Sequence, residues 1–293
     1  MKLITFKKNS GFCAGVLTDE GIVDLTGDFK SVKNIIAGGR EAIKKISSII
    51  GKCTKFIDPS AVKLLAPVPD PPKLLALAGN YSEHITEVGL TLGLSDSPRA
   101  TTVPRPFLMP PTVVIGHNEE ISWPAYSEQI DYEIELGVVI GKKANCINPQ
   151  EAKDCIAGYT IVNDVSARSV TFAKGRKKRP WDEFYDWLNG KWADGFLPMG
   201  PFLLTADEIE NVQNLQMTLK VNGEIRQNAN TSGMIFNVYE IVSFLSHLMT
   251  LEPGDVIATG TPAGVAMATG NFLKSGDKIE CTIEKLGTLT NTL

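Results

Sequence analysis

At 293 residues, 43% of them hydrophobic and 21% charged, the chain is long enough to bury a sizeable core and has the make-up of an ordinary globular protein. A formal net charge of -4 and a pI near 5.5 leave no basic footprint for nucleic acid, and no apolar run approaches the length of a membrane span. The five cysteines (Cys13, Cys53, Cys146, Cys155 and Cys281) are odd in number, widely spaced and lack a CxxC pair, so free thiols in a reducing cytoplasm are expected, not a disulfide frame or a zinc site.

Taken in order, residues 1–66 read as a small N-terminal α/β domain. Met1-Lys2-Leu3-Ile4 leads straight into a strand, with no signal peptide. Strands are expected at Leu3–Phe6, Phe12–Leu17 and Ile22–Leu25, with a helix over Val32–Ile50 that carries Gly38 and Gly39. The stretch from Ala66 to Pro72 holds four prolines and reads as an extended, semi-rigid linker. Residues 67–293 follow as a larger domain. Lys73–Ala78 reads as a strand ending at Gly79-Asn80, and a helix is expected from Tyr81 onward with Ser82 as its cap. On that helix His84 and Glu87 stand three apart and share a face. A carboxylate beside an imidazole raises its basicity, as a general base requires, although a surface pair at this spacing is common. Residues 89–106, rich in Gly, Ser, Thr and Pro, suit a mobile lid.

The next stretch organises the chain. Over Asp131-Tyr132-Glu133-Ile134-Glu135-Leu136, alternation places Asp131, Glu133 and Glu135 on one face of a strand that runs on through Val138-Val139-Ile140 into the interior. Three carboxylates entering an apolar region repel one another and lose hydration, and a cation is the simplest compensation. Helix is expected over Asn148–Ala157, then a strand over Tyr159–Val162 that ends at Asn163-Asp164, where Asp164 serves either a pocket or a turn. Residues 172–190 are basic and then aromatic (Trp181, Phe184, Tyr185, Trp187), an exposed insertion that forms an interface or caps a pocket. A hairpin around Asn222-Gly223, a helix over Ile235–Leu248, a glycine-rich loop after Leu251–Ala258 and two closing strands complete an α+β, predominantly β, pattern.

Five motifs in order resemble the fumarylacetoacetate hydrolase family: Gly-Asn-Tyr-x-x-His at 79–84, Asp-Tyr-Glu-x-Glu-Leu at 131–136, Asn-Asp-Val-Ser-Ala-Arg at 163–168, Gly-Lys-x-x-Asp at 190–194 and Thr-Gly-Thr-Pro-Ala-Gly-Val at 259–265. The resemblance implies a mixed β-sandwich roll, a homodimer and a keto-acid substrate. It makes Glu133, Glu135 and Asp164 the ligands of Mg²⁺ or Mn²⁺, with Ca²⁺ as a further candidate. The all-oxygen donor set agrees, since it selects hard cations. It also makes His84 and Glu87 a water-activating dyad and Lys191 a stabiliser of an enolate. Arg168, Thr261, Gly260 and Tyr81 fall at the substrate. Two positions depart from the family pattern: Met109 stands where lysine is frequent, and Thr171 where glutamine is frequent. Metal-assisted hydrolysis of a C–C bond in a 1,3-diketo or 2-oxo acid is the expected reaction. Decarboxylation of an oxaloacetate-like acid, isomerisation on the same site, and a catalytically silent binding role are the alternatives.

Overall fold

The run Ile134–Ile140 is buried at every position, as a strand covered on both faces must be. It pairs antiparallel with Ile156–Asn163 on one side and Val256–Ala258 on the other. These strands are central to an 11-stranded sheet in the computed structural model, which describes residues 1–8, 11–92 and 102–293. The sheet runs in the order Gly21–Asp24, Gly11–Thr18, Lys2–Lys8, Leu197–Thr205, Ile156–Asn163, Ile134–Ile140, Val256–Ala258, Leu74–Leu77 and Pro106–Met109. Lys63–Leu65 pairs with Lys2–Lys8, and Val114–Ile115 runs parallel to Leu197–Thr205. A second sheet of four strands, Glu224–Asn230, Gln216–Val221, Lys278–Ile283 and Gly287–Thr292, packs against the first. The result is a mixed, predominantly β, α+β architecture.

The N-terminal strands join the large sheet directly, since Leu3 pairs with Leu203. One buried apolar cluster runs from Leu3, Ile22 and Ile46 through Leu136 and Val256 to Leu289. The proline-rich stretch is not the extended linker expected: it bends at residues 67–70 and packs on the core, with Ala66, Pro67 and Val68 buried and the Thr5 hydroxyl donating to the Pro67 carbonyl at 2.9 Å. The helix Val32–Ile50, capped by Ser31, is interrupted at Gly39, whose φ of 54° and ψ of -137° only a glycine adopts at little cost. Asn148 and Asn237 each close a capping box, starting the helices Pro149–Cys155 and Val238–Leu248. Asn222 and Gly223 have φ of 51° and 84°, the primed turn that Asn-Gly favours. All five cysteines are free, and no helix among the described residues is long and apolar enough to cross a membrane. Half of the expected lid, residues 93–101, lies outside the described residues.

The acidic strand is not continuous. Gln129–Asp131 pairs with Ser166–Arg168 in a separate ribbon, and the large sheet begins at Ile134. Three successive amides break the ladder by donating to side chains: Tyr132 N–H to Asp131 Oδ1, Glu133 N–H to Asn163 Oδ1, and Ile134 N–H to Gln227 Oε1. The break lets the carboxylates turn inward where regular alternation would space them along one face.

The last strand, Gly287–Thr292, is tied to the loop at 116–121, where Thr290 N–H donates to His117 Nδ1 at 3.0 Å. Burial pushes the His117 pKa below its ordinary 6.5. A depressed folded-state pKa gives stability that is present above the unfolded value and lost as pH falls through the folded one. Urea unfolding should therefore lose less stability between pH 7 and about pH 5 in His117→Gln than in the native chain. Identical pH slopes would contradict this.

Candidate active site

Glu133, Glu135 and Asp164 are 6%, 1% and 1% exposed, and each offers a carboxylate oxygen within 4.8 Å of the others. Their elements explain the convergence. Glu133 sits at the break before the central strand, Glu135 inside that strand, and Asp164 just past the adjacent strand Ile156–Asn163. Asp164 N–H donates to the Glu133 carbonyl at 2.9 Å, stitching the two segments together. Gly260 N–H donates to Glu135 Oε2 at 2.7 Å. That approach needs glycine: φ is 93°, and a Cβ there would meet Asn80 Cβ at 2.8 Å.

Lys191 Nζ lies 2.8 Å from Glu133 Oε2 and 2.6 Å from Asp164 Oδ2. Arg168 bridges Asp131 and Glu133. Burial would raise the Glu133 pKa, but Lys191 and Arg168 outweigh it and hold Glu133 down to about 2. Burial, then the Asp164 and Glu133 charges, push Glu135 well above the usual carboxylate range. Burial also pushes Asp164 up to about 6, against the pull of Lys191. Fully ionised, Asp131, Glu133, Glu135 and Asp164 would carry two more negative charges than the cations paired with them among the described residues, Arg168 and Lys191, can balance, and that excess is what holds the Glu135 and Asp164 carboxyls up. Asp164 Oδ1 is buried with no hydrogen-bond partner. A hard divalent cation supplies the missing charge and the missing partner, so these three side chains fit one.

A cavity of about 430 Å³ opens beside Glu133, lined by His84, Lys191, Arg168, Thr261, Phe107 and Trp187 among others. Phe107 and Trp187 meet edge-to-face at a centroid distance of 5.0 Å, and Lys191 Nζ lies within 6 Å of both rings at 5.8 and 5.9 Å. The aromatic segment therefore walls the cavity through the helix Asp182–Asn189. Three cations of the preceding basic run pair with that same helix: Arg176 with Asp186, Lys178 with Glu183 and Arg179 with Asp182.

The remaining expected site residues divide. His84 faces the cavity from the helix Ser82–Leu92, but its Nδ1 is 3.9 Å from Glu87 Oε2 and unpartnered. Glu87 instead accepts from Gly264 N–H with both oxygens, at 3.1 and 2.9 Å. Thr261 lines the cavity, while its hydroxyl donates to the Ile134 carbonyl at 3.0 Å and accepts from Gln227. Gly260, expected at the substrate, serves Glu135. Tyr81, also expected there, is 2% exposed with its hydroxyl donating to Met217 Sδ at 3.3 Å, and it is not part of the cavity wall. Arg168 reaches the cavity with its guanidinium already engaged by two carboxylates.

Sequence reading missed Gln227, Asn163 and the role of Asp131. Gln227 is 1% exposed and ties the Ile134 amide to Thr261 Oγ1 and the Pro262 carbonyl. Nothing in a mid-hairpin glutamine announces that. Asp131 binds Arg168 and accepts from the Ala266 and Met267 amides. Its place at the head of the Asp-Tyr-Glu motif suggested a third acid on the metal face, not a brace.

A family model described as the C-terminal region of fumarylacetoacetate (FAA) hydrolase matches residues 73–293. The chain is 41% identical over 238 residues to the oxaloacetate tautomerase YisK of Bacillus subtilis, covering 80% of this chain and 74% of that one. It is 33% identical over 301 residues to the mitochondrial oxaloacetate tautomerase fahd2 of Xenopus laevis, covering 99% and 89%. The crystal structure of maleylpyruvate hydrolase from Sphingobium sp. SYK-6, in complex with manganese(II) and pyruvate, superposes with a TM-score of 0.80 at 27% identity, covering 100% and 98%. The converging acids, the motifs around them and these matches together place the chain in the fumarylacetoacetate hydrolase family.

Proposed function

We propose that this enzyme of the fumarylacetoacetate hydrolase family interconverts the keto and enol forms of a small 2-oxo dicarboxylic acid of the oxaloacetate class, with Mg²⁺ or Mn²⁺ held by Glu133, Glu135 and Asp164. The observation that carries this reading is the single free imidazole at the cavity. His84 faces the buried acids while Glu87 is held by Gly264 and not hydrogen-bonded to it. A lone base is what moving one proton requires, and the tautomerase relatives match across most of the chain. When bound, the cation supplies Lewis-acid stabilisation of negative charge on the 2-oxo oxygen. His84 takes a proton from the carbon next to the oxo group, the electron pair moves onto the oxo oxygen, and a proton is returned there. The ammonium of Lys191 lies where it opposes build-up of that charge. Phe107 and Trp187 exclude water from one side of the carbanion-like carbon. The site belongs to residues 67–293, with residues 1–66 as its support, in a cytoplasmic homodimer.

Hydrolytic C–C cleavage is the second reading. His84 and Glu87 stand one helical turn apart at 3.9 Å, and a rotamer change that closed this gap would give the oriented base that attacking water needs. Ketonisation of enol-oxaloacetate followed by ultraviolet absorbance, in parallel with cleavage of acylpyruvates, separates the two. The expected result is fast ketonisation without cleavage or CO₂ release, reduced about 10²- to 10⁴-fold in His84→Ala. Cleavage of acylpyruvates with no acceleration of ketonisation would replace the first reading by the second.

A further inference from the structure

We infer that Arg105 selects dicarboxylic 2-oxo acids by pairing with the carboxylate at the end of the substrate remote from Glu133, Glu135 and Asp164. This rests on the reading that the cavity takes a 2-oxo acid. Among the described residues three cations line the cavity: Arg105, Arg168 and Lys191. Arg168 is spent on Asp131 and Glu133, and Lys191 on Glu133 and Asp164. Among the described residues the Arg105 guanidinium has no ion-pair or hydrogen-bond partner. The other acid lining the cavity besides Glu133, Glu183, is already paired with Lys178 at 3.1 Å.

The attachment of Arg105 is fixed even though its side chain is exposed. Its carbonyl accepts from Ala78 N–H at 3.0 Å, and it stands between Pro104 and Pro106, where the edge strand Pro106–Met109 begins. Two prolines and a backbone hydrogen bond leave the main chain little freedom. Much of the cavity wall is apolar, formed by Leu77, Ile85, Phe107, Phe184 and Trp187. A second carboxylate lying on that wall would lose hydration, and Arg105 is the unspent fork of donors able to replace it. A monocarboxylic acid leaves Arg105 as it is in the free protein, hydrated, and gains nothing from it.

The test compares 2-oxoglutarate with 2-oxopentanoate, which differ only in a terminal carboxylate against a methyl group. Binding is measured by calorimetry on the magnesium-loaded protein. The native chain should bind 2-oxoglutarate about 10- to 100-fold more tightly, the range of one charge-assisted hydrogen-bonded pair. Arg105→Met should remove that gap while leaving 2-oxopentanoate binding within about twofold, and Arg105→Lys should keep part of it. Equal binding of the two acids by the native chain, no binding of either, or a gap that survives Arg105→Met overturns the inference. Turnover of oxaloacetate is scored separately. Its absence beside a gap that behaves as stated sinks the tautomerase reading and leaves the selectivity standing.

Discussion

Glu135→Gln should abolish binding of Mn²⁺ and lower turnover by about 10³-fold or more, the scale of several kcal/mol of lost charge stabilisation. The same substitution should raise the melting temperature of the metal-free protein. Both effects have one cause. Glu135 is fully buried beside Glu133 and Asp164, and those charges together with burial already hold its carboxyl well above the usual range. A neutral amide of the same shape still accepts the Gly260 N–H, because the amide oxygen can take the place of Oε2. It relieves like-charge repulsion at no cost in packing, yet removes one of the three oxygens with charge enough to hold a divalent ion. Calorimetric titration with Mn²⁺ and thermal unfolding in chelator are the two measurements. Native affinity for Mn²⁺ in the variant, or a lower melting temperature without metal, would refute the assignment of the triad.

Lys191→Met should act in the opposite direction. Lys191 is 2% exposed, and its ammonium pairs with Glu133 and Asp164 at once. Burial alone would lower its pKa, but the two carboxylates raise it, so the ammonium stays charged. Removing it leaves buried carboxylates without their partner, which for buried pairs costs about 3–5 kcal/mol. The metal-free variant should be destabilised on that scale, measured by urea unfolding in chelator. Saturating Mn²⁺ should restore more stability to the variant than to the native protein, because an added divalent charge replaces the one removed. An unchanged metal-free stability would mean that Lys191 is not the compensating charge.

Much of the site was legible in residue types alone. Acids that interrupt an apolar strand are costly wherever the chain goes, so Glu133 and Glu135 announced themselves through local chemistry, whereas Asp164, just past a strand end, read equally as a turn residue and was marked as a ligand by the family resemblance. The Asn-Gly hairpin and the helices at 149–155 and 238–248 were equally readable, because turn and cap preferences act within a few residues. Single positions were less so. Tyr81 lies in a motif with His84 but points into the core against Met217, and one residue's direction is decided by packing 136 positions away. The same holds for Glu87: it was paired with His84 on helical spacing, while Gly264, distant in sequence, offers a backbone N–H at shorter range.

By itself the sequence determined which residues carry charge into the interior, the strand and turn pattern around them, and the hard-cation character of the donor set. Only the tertiary structure decided how that charge is balanced. Arg168 and Lys191 balance two of the four acids, the rest of the charge is met by raised carboxyl pKa values, and Arg105 is left unspent at the cavity. The physical reason is range: propensity and periodicity act between neighbours in the chain. Hydration loss and Coulomb energy depend on which distant segments the fold brings within a few ångströms.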